Sequence, residues 1–174
     1  MGRGVLLDYA AWAQDNNIRY SPIRYHEITV KDLEAVAKAQ GTILKPGDIL
    51  LIRSGFVSWY MNATGSERLE GSANAREWAG VQGSEETVRW LWNHHFSAVG
   101  GDASVFEAWP AKDETWRLHD NLIALLGMPI GEMFDLERLS EECQKARQWS
   151  FFFTSAPINF PGGVASPPNA ICVL

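Results

Sequence analysis

The stretch KPGDILLIR, residues 45–53, decides the fold because it sets a turn directly before a continuous apolar run. Pro46 has the φ angle that the second position of a turn needs, and Gly47 is free to take a positive φ. The run Ile49–Arg53 that follows predicts a strand. A second apolar run, GVLLD at residues 4–8, ends in an acid and predicts another buried strand.

Helical patterns alternate with the predicted strands along the chain. Thr29 is a suitable cap for a helix that ends at Gly41. Further helical patterns cover residues 117–126 and 135–147. Residues 61–83 are rich in Gly, Ser, Asn and Ala, and this composition predicts a long loop. Strands that alternate with helices indicate an α/β or mixed α+β fold.

Composition narrows the classes of protein and partner. The 174 residues are enough for a single domain, residues 1–174, with a core that folds without disulfides. The net charge is −6, and Lys and Arg are scattered along the chain. Nucleic acid and anionic membranes are therefore not expected as partners, because both require clustered basic residues. The N-terminus has no apolar run of signal-peptide or membrane-span length, so a cytoplasmic location is expected.

Three stretches, taken in order, carry a resemblance to a known family. The first is GRGVLLD at residues 2–8, and the second is LKPGDILLIRSGF at residues 44–56. The third begins with GDAS at 101–104, continues with HDNL at 119–122 and ends with GMPIGEMFDLERL at 127–139. The ordered set resembles the cyclase family of metal-dependent hydrolases, which includes kynurenine formamidase and isatin hydrolase. The long loop with many aromatic residues is most similar to the fungal-type branch.

The resemblance implies a swivelling β/β/α domain of which this chain is the C-terminal portion. The family's HxGTHxDxPxH-type metal motif, which lies upstream of these stretches, does not occur in the sequence. The first predicted strand also begins almost at Met1, and domains seldom begin with a central strand. We therefore expect an N-terminally truncated member of the family.

The resemblance further implies the chemistry and two site residues. His119 and Glu132 match the two metal ligands that the C-terminal half of the family contributes, and Glu132 is in addition the expected catalytic carboxylate. The expected reaction is hydrolysis of a small amide, formamide or cyclic amide, assisted by Zn²⁺ or Mn²⁺. Two ligands hold a catalytic zinc poorly, since such sites use three protein ligands and water. The alternative to a metal site is a hydrogen-bonded His at the start of a helix and a Glu on a strand.

Three more residues are candidates for contact with a substrate. Asp102 follows a predicted strand and two glycines, where an acid lines a cleft or holds a turn. Trp59 and Trp109 are candidates for an aromatic pocket that accepts a flat substrate, with core packing as the alternative.

Two other functions stay open on the sequence alone. The chain is either an incomplete enzyme, a non-catalytic remnant of one, or a protein that binds a small molecule or a partner without metal.

The run Phe151–Phe153 predicts a fully buried strand or a subunit interface. Because a truncated sheet exposes strand edges, we expect a homo-oligomer.

Overall fold

The computed structural model describes all 174 residues, Met1–Leu174, and contains two sheets surrounded by helices. The strands are β1 (Gly2–Leu7), β2 (His26–Ile28), β3 (Ile49–Ile52), β4 (Ala79–Val81), β5 (Ala98–Gly101), β6 (Ile130–Gly131), β7 (Ser150–Thr154) and β8 (Ile171–Val173). The α-helices are α1 (Tyr9–Asp15), α2 (Val30–Gln40), α3 (Phe56–Asn62), α4 (Gly65–Gly71), α5 (Glu85–Asn93) and α6 (Glu137–Ala146). None of these helices combines the length and the apolar composition that crossing a bilayer requires.

The main sheet has six strands in the order β6-β5-β3-β1-β7-β8. Its first four strands run parallel, β7 pairs antiparallel with β1, and β8 pairs antiparallel with β7. Strands β2 and β4 form a separate parallel pair. The expected α/β (mixed α+β) class is therefore confirmed, and the structure shows in addition that the central sheet is mostly parallel.

The apolar runs of β1 and β3 are continuous because each strand is covered on both faces. Val5 and Leu50 pack in the larger core, on the side of α1, α2 and α5. Leu6 and Leu51 point the other way, into a smaller core beneath α6 and β7. All four side chains are buried, so both strands contribute equally to the two cores.

Local signals set the ends of α2 as the sequence indicates. Thr29 accepts a hydrogen bond from the backbone of Asp32, whose carboxylate accepts one back from the backbone of Thr29. Gly41 ends the helix with φ at 65°, a conformation that favours glycine.

The long loop expected over residues 61–83 is wrong. The end of α3, all of α4 and strand β4 lie in this range. Thr64 and Glu67 form a reciprocal cap that starts α4. The small residues serve close packing: a Cβ on Gly71 would lie 2.1 Å from the ring of Trp59. Their composition resembles that of a loop, but they pack against an aromatic side chain.

Of the two alternatives for Phe151–Phe153, the fully buried strand is wrong at its middle residue, and the subunit interface stays a prediction. Phe151 and Phe153 face the smaller core, whereas Phe152 points to the opposite face and is 50% exposed. Phe152 lies opposite Val173 of the edge strand β8, which is also exposed. The homo-oligomer expected from the sequence stays a prediction.

We predict that Gly4→Ala lowers the free energy of unfolding by about 1–3 kcal/mol. A Cβ on Gly4 would lie 2.3 Å from the ring of Phe151 of β7, which is buried in the smaller core. Urea unfolding would measure the effect. The matched control is Gly2→Ala on the same strand, where the nearest atom is Ile49 Cδ1 at 3.5 Å. Equal stability of the two variants would contradict this packing.

Candidate functional site

Asp102 follows the end of β5 and holds the turn that follows β3. Its carboxylate accepts hydrogen bonds from the backbone N–H and hydroxyl of Ser54 and from the backbone N–H of Gly55, at 2.5, 2.8 and 2.8 Å. The side chain has no exposed surface, and burial raises the pKa of Asp102 above its ordinary value in spite of these donors. These contacts fit a turn-holding acid, and contact of Asp102 with a substrate stays a prediction.

A charged network lies beside this turn. The Arg53 guanidinium donates to Asp8 at 2.9 Å and, through two nitrogens, to Glu137 at 2.8 and 2.7 Å. Ser140 of α6 donates to the other oxygen of Asp8. The network ties the ends of β1 and β3 to α6 and leaves Arg53 with two carboxylate partners.

Trp59 lines an open cleft of about 920 Å³ next to this network. The cleft runs between α1, α3 and α6, and neither His119 nor Glu132 lines it. The structure thus does not bring Trp59 together with the two candidate ligands in one pocket.

His119 and Glu132 do come together. His119 Nε2 lies 3.4 Å from Glu132 Oε1, although the two residues are 13 positions apart. Their side chains are 33% and 29% exposed, so a small ligand can reach them. Glu132 follows β6, and its Oε1 accepts a hydrogen bond of 2.7 Å from the Phe106 backbone N–H.

Glu107 is a third member of this group that sequence reasoning missed. Its Oε2 lies 2.6 Å from His119 Nδ1, and its Oε1 accepts from the His119 backbone N–H at 3.2 Å. The side chain is 1% exposed. The sequence does contain a signal for this residue, because Glu107 lies inside the apolar segment FEAW, residues 106–109. A carboxylate that is buried without a partner is costly, so such a position indicates a bonded partner elsewhere in the chain.

The two carboxylates change the proton affinity of the imidazole. Hydrogen bonds to Glu107 and then to Glu132 raise the pKa of His119 from 6.5 to about 10. Burial acts to raise the pKa of Glu107, but the hydrogen bond and charge of His119 lower it below its ordinary value. Without a metal, His119 is therefore an imidazolium between two carboxylates at neutral pH.

The segment after His119 is a π-helix, Asp120–Leu125, where an ordinary helix was expected over 117–126. The Asn121 side-chain amide donates to the backbone oxygens of Thr115 and Arg117, at 3.0 and 2.8 Å. These bonds fix the turn that carries His119. Single-turn π-helices are frequent at functional sites.

Trp109 lies near this group. It is two residues from Glu107, exchanges two backbone hydrogen bonds with Trp78, and carries the Arg117 guanidinium 5.3 Å from its ring centre. Its contact with a substrate stays a prediction, as it does for Trp59.

The residues present fit a divalent metal only in part. Two donors on one tetrahedral zinc lie about 3.4 Å apart, the separation of His119 Nε2 and Glu132 Oε1. Glu107 occupies the other ring nitrogen and so supports a ligand without being one, an arrangement common around metal-binding histidines. No group of three or more His, Cys, Asp or Glu side chains in the chain is arranged to hold a metal ion. Further donors would have to come from outside the chain.

Comparison with known families identifies the family of the chain. The family model Cyclase matches residues 1–108, which is more than half of the chain and includes β1 to β5. The chain belongs to the cyclase family. Glu107 lies inside the matched range, whereas His119 and Glu132 lie beyond it, so the prediction that they bind metal rests on the motif order and on their approach to each other.

Solved structures share the fold of this chain at sequence identities of 31% and below. A structure described as a novel cyclase superposes with a TM-score of 0.83 at 31% identity, over 100% of this chain and 54% of that one. Isatin hydrolase A from Labrenzia aggregata, bound to benzyl benzoate, has a TM-score of 0.66 at 16% identity, with 99% and 60% covered. An isatin hydrolase bound to the product analogue thioisatinate has a TM-score of 0.65 at 14% identity, also with 99% and 60% covered.

The chain thus spans between about half and two thirds of the length of the structures that it matches. No curated protein matches the sequence. The fungal-type branch and the truncation stay predictions.

We predict that the metal-free chain loses stability as the pH rises from 6.5 to 10. The pKa of His119 is raised in the folded state, so its stabilising effect is complete below pH 6.5 and is lost as the pH passes through about 10. Urea unfolding in the presence of a chelator, for the wild type and His119→Gln at pH 6.5 and 10, measures this. The stability advantage of the wild type should shrink at the higher pH. An advantage that is independent of pH would contradict the bridged imidazolium.

Proposed function

We propose that this chain supplies part of the metal site of a hydrolase that cleaves the C–N bond of a small amide, formamide or cyclic amide. The observation that carries the proposal is the 3.4 Å approach of His119 Nε2 to Glu132 Oε1, with Glu107 bonded to the other ring nitrogen. Membership of the cyclase family supports a hydrolase, and the isatin hydrolases with the same fold support a cyclic amide.

His119 and Glu132 would hold the metal, Zn²⁺ or Mn²⁺. When bound, a divalent ion polarises a carbonyl oxygen and lowers the pKa of a coordinated water. The chain itself contributes ligand atoms and a base. Glu132 Oε1 is held by the Phe106 N–H, while its Oε2 has no hydrogen-bond partner in the chain. That free oxygen is suited to accept a proton and to return it to the leaving nitrogen.

An aromatic side chain close in sequence to Glu107 supports the proposed substrate class. Trp109 offers an aromatic surface near the 106–107 segment, which suits a flat arylamide or an isatin-like ring. We propose a small-molecule amide as the ligand, a cytoplasmic location, and association of two or more copies of the chain. The second copy is one source of the missing ligands.

We expect the protein to retain about one Zn²⁺ or Mn²⁺ per chain after exchange into excess metal and extensive dialysis. His119→Ala should reduce retention at least about tenfold, because removal of a first ligand leaves Glu132 alone. Metal content by mass spectrometry measures this. The matched control is His95→Asn, which keeps the metal because His95 is remote from the site and Asn tolerates its positive φ of 54°.

If the hydrolase proposal is correct, the metal-loaded protein hydrolyses an N-formyl arylamine or isatin. The Glu132→Gln variant should hydrolyse the same substrate at least about a hundredfold more slowly. Absorbance or chromatography follows the substrate.

A non-catalytic role is the second candidate, and it is favoured by the lack of a third ligand side chain. A wild-type chain that retains no metal and hydrolyses none of the amides would establish it. Tight binding of an aromatic ligand that persists in excess chelator would instead identify a metal-independent binding protein.

A further inference from the structure

We propose that Glu107 is a positioning residue: its buried carboxylate holds the His119 ring so that Nε2 faces Glu132, and the neighbouring Phe106 N–H holds Glu132 in place. The inference rests on the proposed function in so far as that orientation serves a metal.

The backbone around Glu107 is fixed by β4. The Val81 N–H donates to the Phe106 oxygen at 2.9 Å, and the Ala108 N–H donates to the Val81 oxygen at 2.8 Å. The neighbouring Gly80 lets the two segments approach, because a Cβ there would lie 2.4 Å from the Glu107 carbonyl carbon. The direction of the Glu107 side chain is therefore determined by strand pairing, before any contact with His119.

Both carboxylate oxygens of Glu107 accept hydrogen bonds from His119. One oxygen accepts from the His119 backbone and the other from its ring nitrogen, so the carboxylate fixes both the position of the residue and the rotation of its ring. A carboxylate accepts hydrogen bonds only, so Nδ1 must carry the proton. Nε2 is then the only ring nitrogen that becomes available to a ligand, once it has lost its own proton.

The four residues close a circuit. Glu107 contacts His119, His119 contacts Glu132, and Glu132 Oε1 accepts from the N–H of Phe106, which precedes Glu107 in the chain. Two consecutive residues thus hold both candidate ligands, one of which directly precedes the π-helix while the other directly follows β6. This arrangement explains how two residues on separate elements are kept 3.4 Å apart.

The test compares Glu107→Gln and Glu107→Ala with Glu141→Gln, an exposed control carboxylate for which the structure shows no hydrogen bond. The first readout is the His119 Nδ1 proton of the metal-free chain in an NMR spectrum, assigned by its loss in His119→Gln. We expect a proton protected from exchange in the wild type and in the control. It should be exchange-broadened in Glu107→Gln and absent in Glu107→Ala.

The second readout is Zn²⁺ affinity, measured by competition with a chromophoric chelator. We expect Glu107→Gln to bind about 10–100-fold more weakly than the wild type, and the control to bind equally well. The Gln side chain can present its NH₂ group to the ring, which favours the wrong tautomer without leaving a cavity.

The outcomes separate the two proposals. A protected Nδ1 proton that persists in Glu107→Gln, with unchanged Zn²⁺ affinity, overturns the positioning role. Should Glu107→Ala fail to fold, Glu107→Gln decides alone. If the wild type binds no Zn²⁺ but the Nδ1 proton is lost on substitution of Glu107, the positioning role stands and the proposed function fails.

Discussion

The parallel pairing of β1 with β3 is the constraint on which the rest of the structure depends. Four residues of each strand are paired in register, and their side chains alternate between two cores on opposite faces of the sheet. A slip of one residue would exchange the two sets of side chains. The two strands also end together, which brings Asp8 and Arg53 to one edge of the sheet. The ion pairs there and the turn held by Asp102 are consequences of this register.

The acidic residues at this edge of the sheet differ in burial and in the number of hydrogen bonds that they accept. Asp8 and Asp102 are buried and fully occupied by neighbours, so they stabilise the connections that leave the strands. Glu132 follows β6 at the periphery and keeps a free carboxylate oxygen. Exposure and unused hydrogen-bonding capacity distinguish the candidate ligand from the structural acids, which a sequence pattern cannot do.

Sequence reasoning succeeded where the cause is local. A Pro-Gly turn before an apolar run identified β3, and the Thr29 cap and Gly41 marked the ends of α2. The order of motifs also singled out His119 and Glu132, which lie 3.4 Å apart, and their role as metal ligands stays a prediction. Glu107 was missed because its partner is brought in by tertiary contacts. Phe152 was misjudged because an unbroken aromatic run does not reveal that one sheet face is uncovered.

The adjacent pair Phe106–Glu107 supports both sides of the candidate site, because the Phe106 N–H holds Glu132 and the Glu107 carboxylate holds His119. Since it holds a group on each of two separate elements, its displacement would move both donors and alter the spacing between them. Substitutions along β4 could therefore change which ion size the pair accommodates while every donor atom is conserved. In a site that held a metal, ion preference would then be tuned from a strand that contributes no ligand.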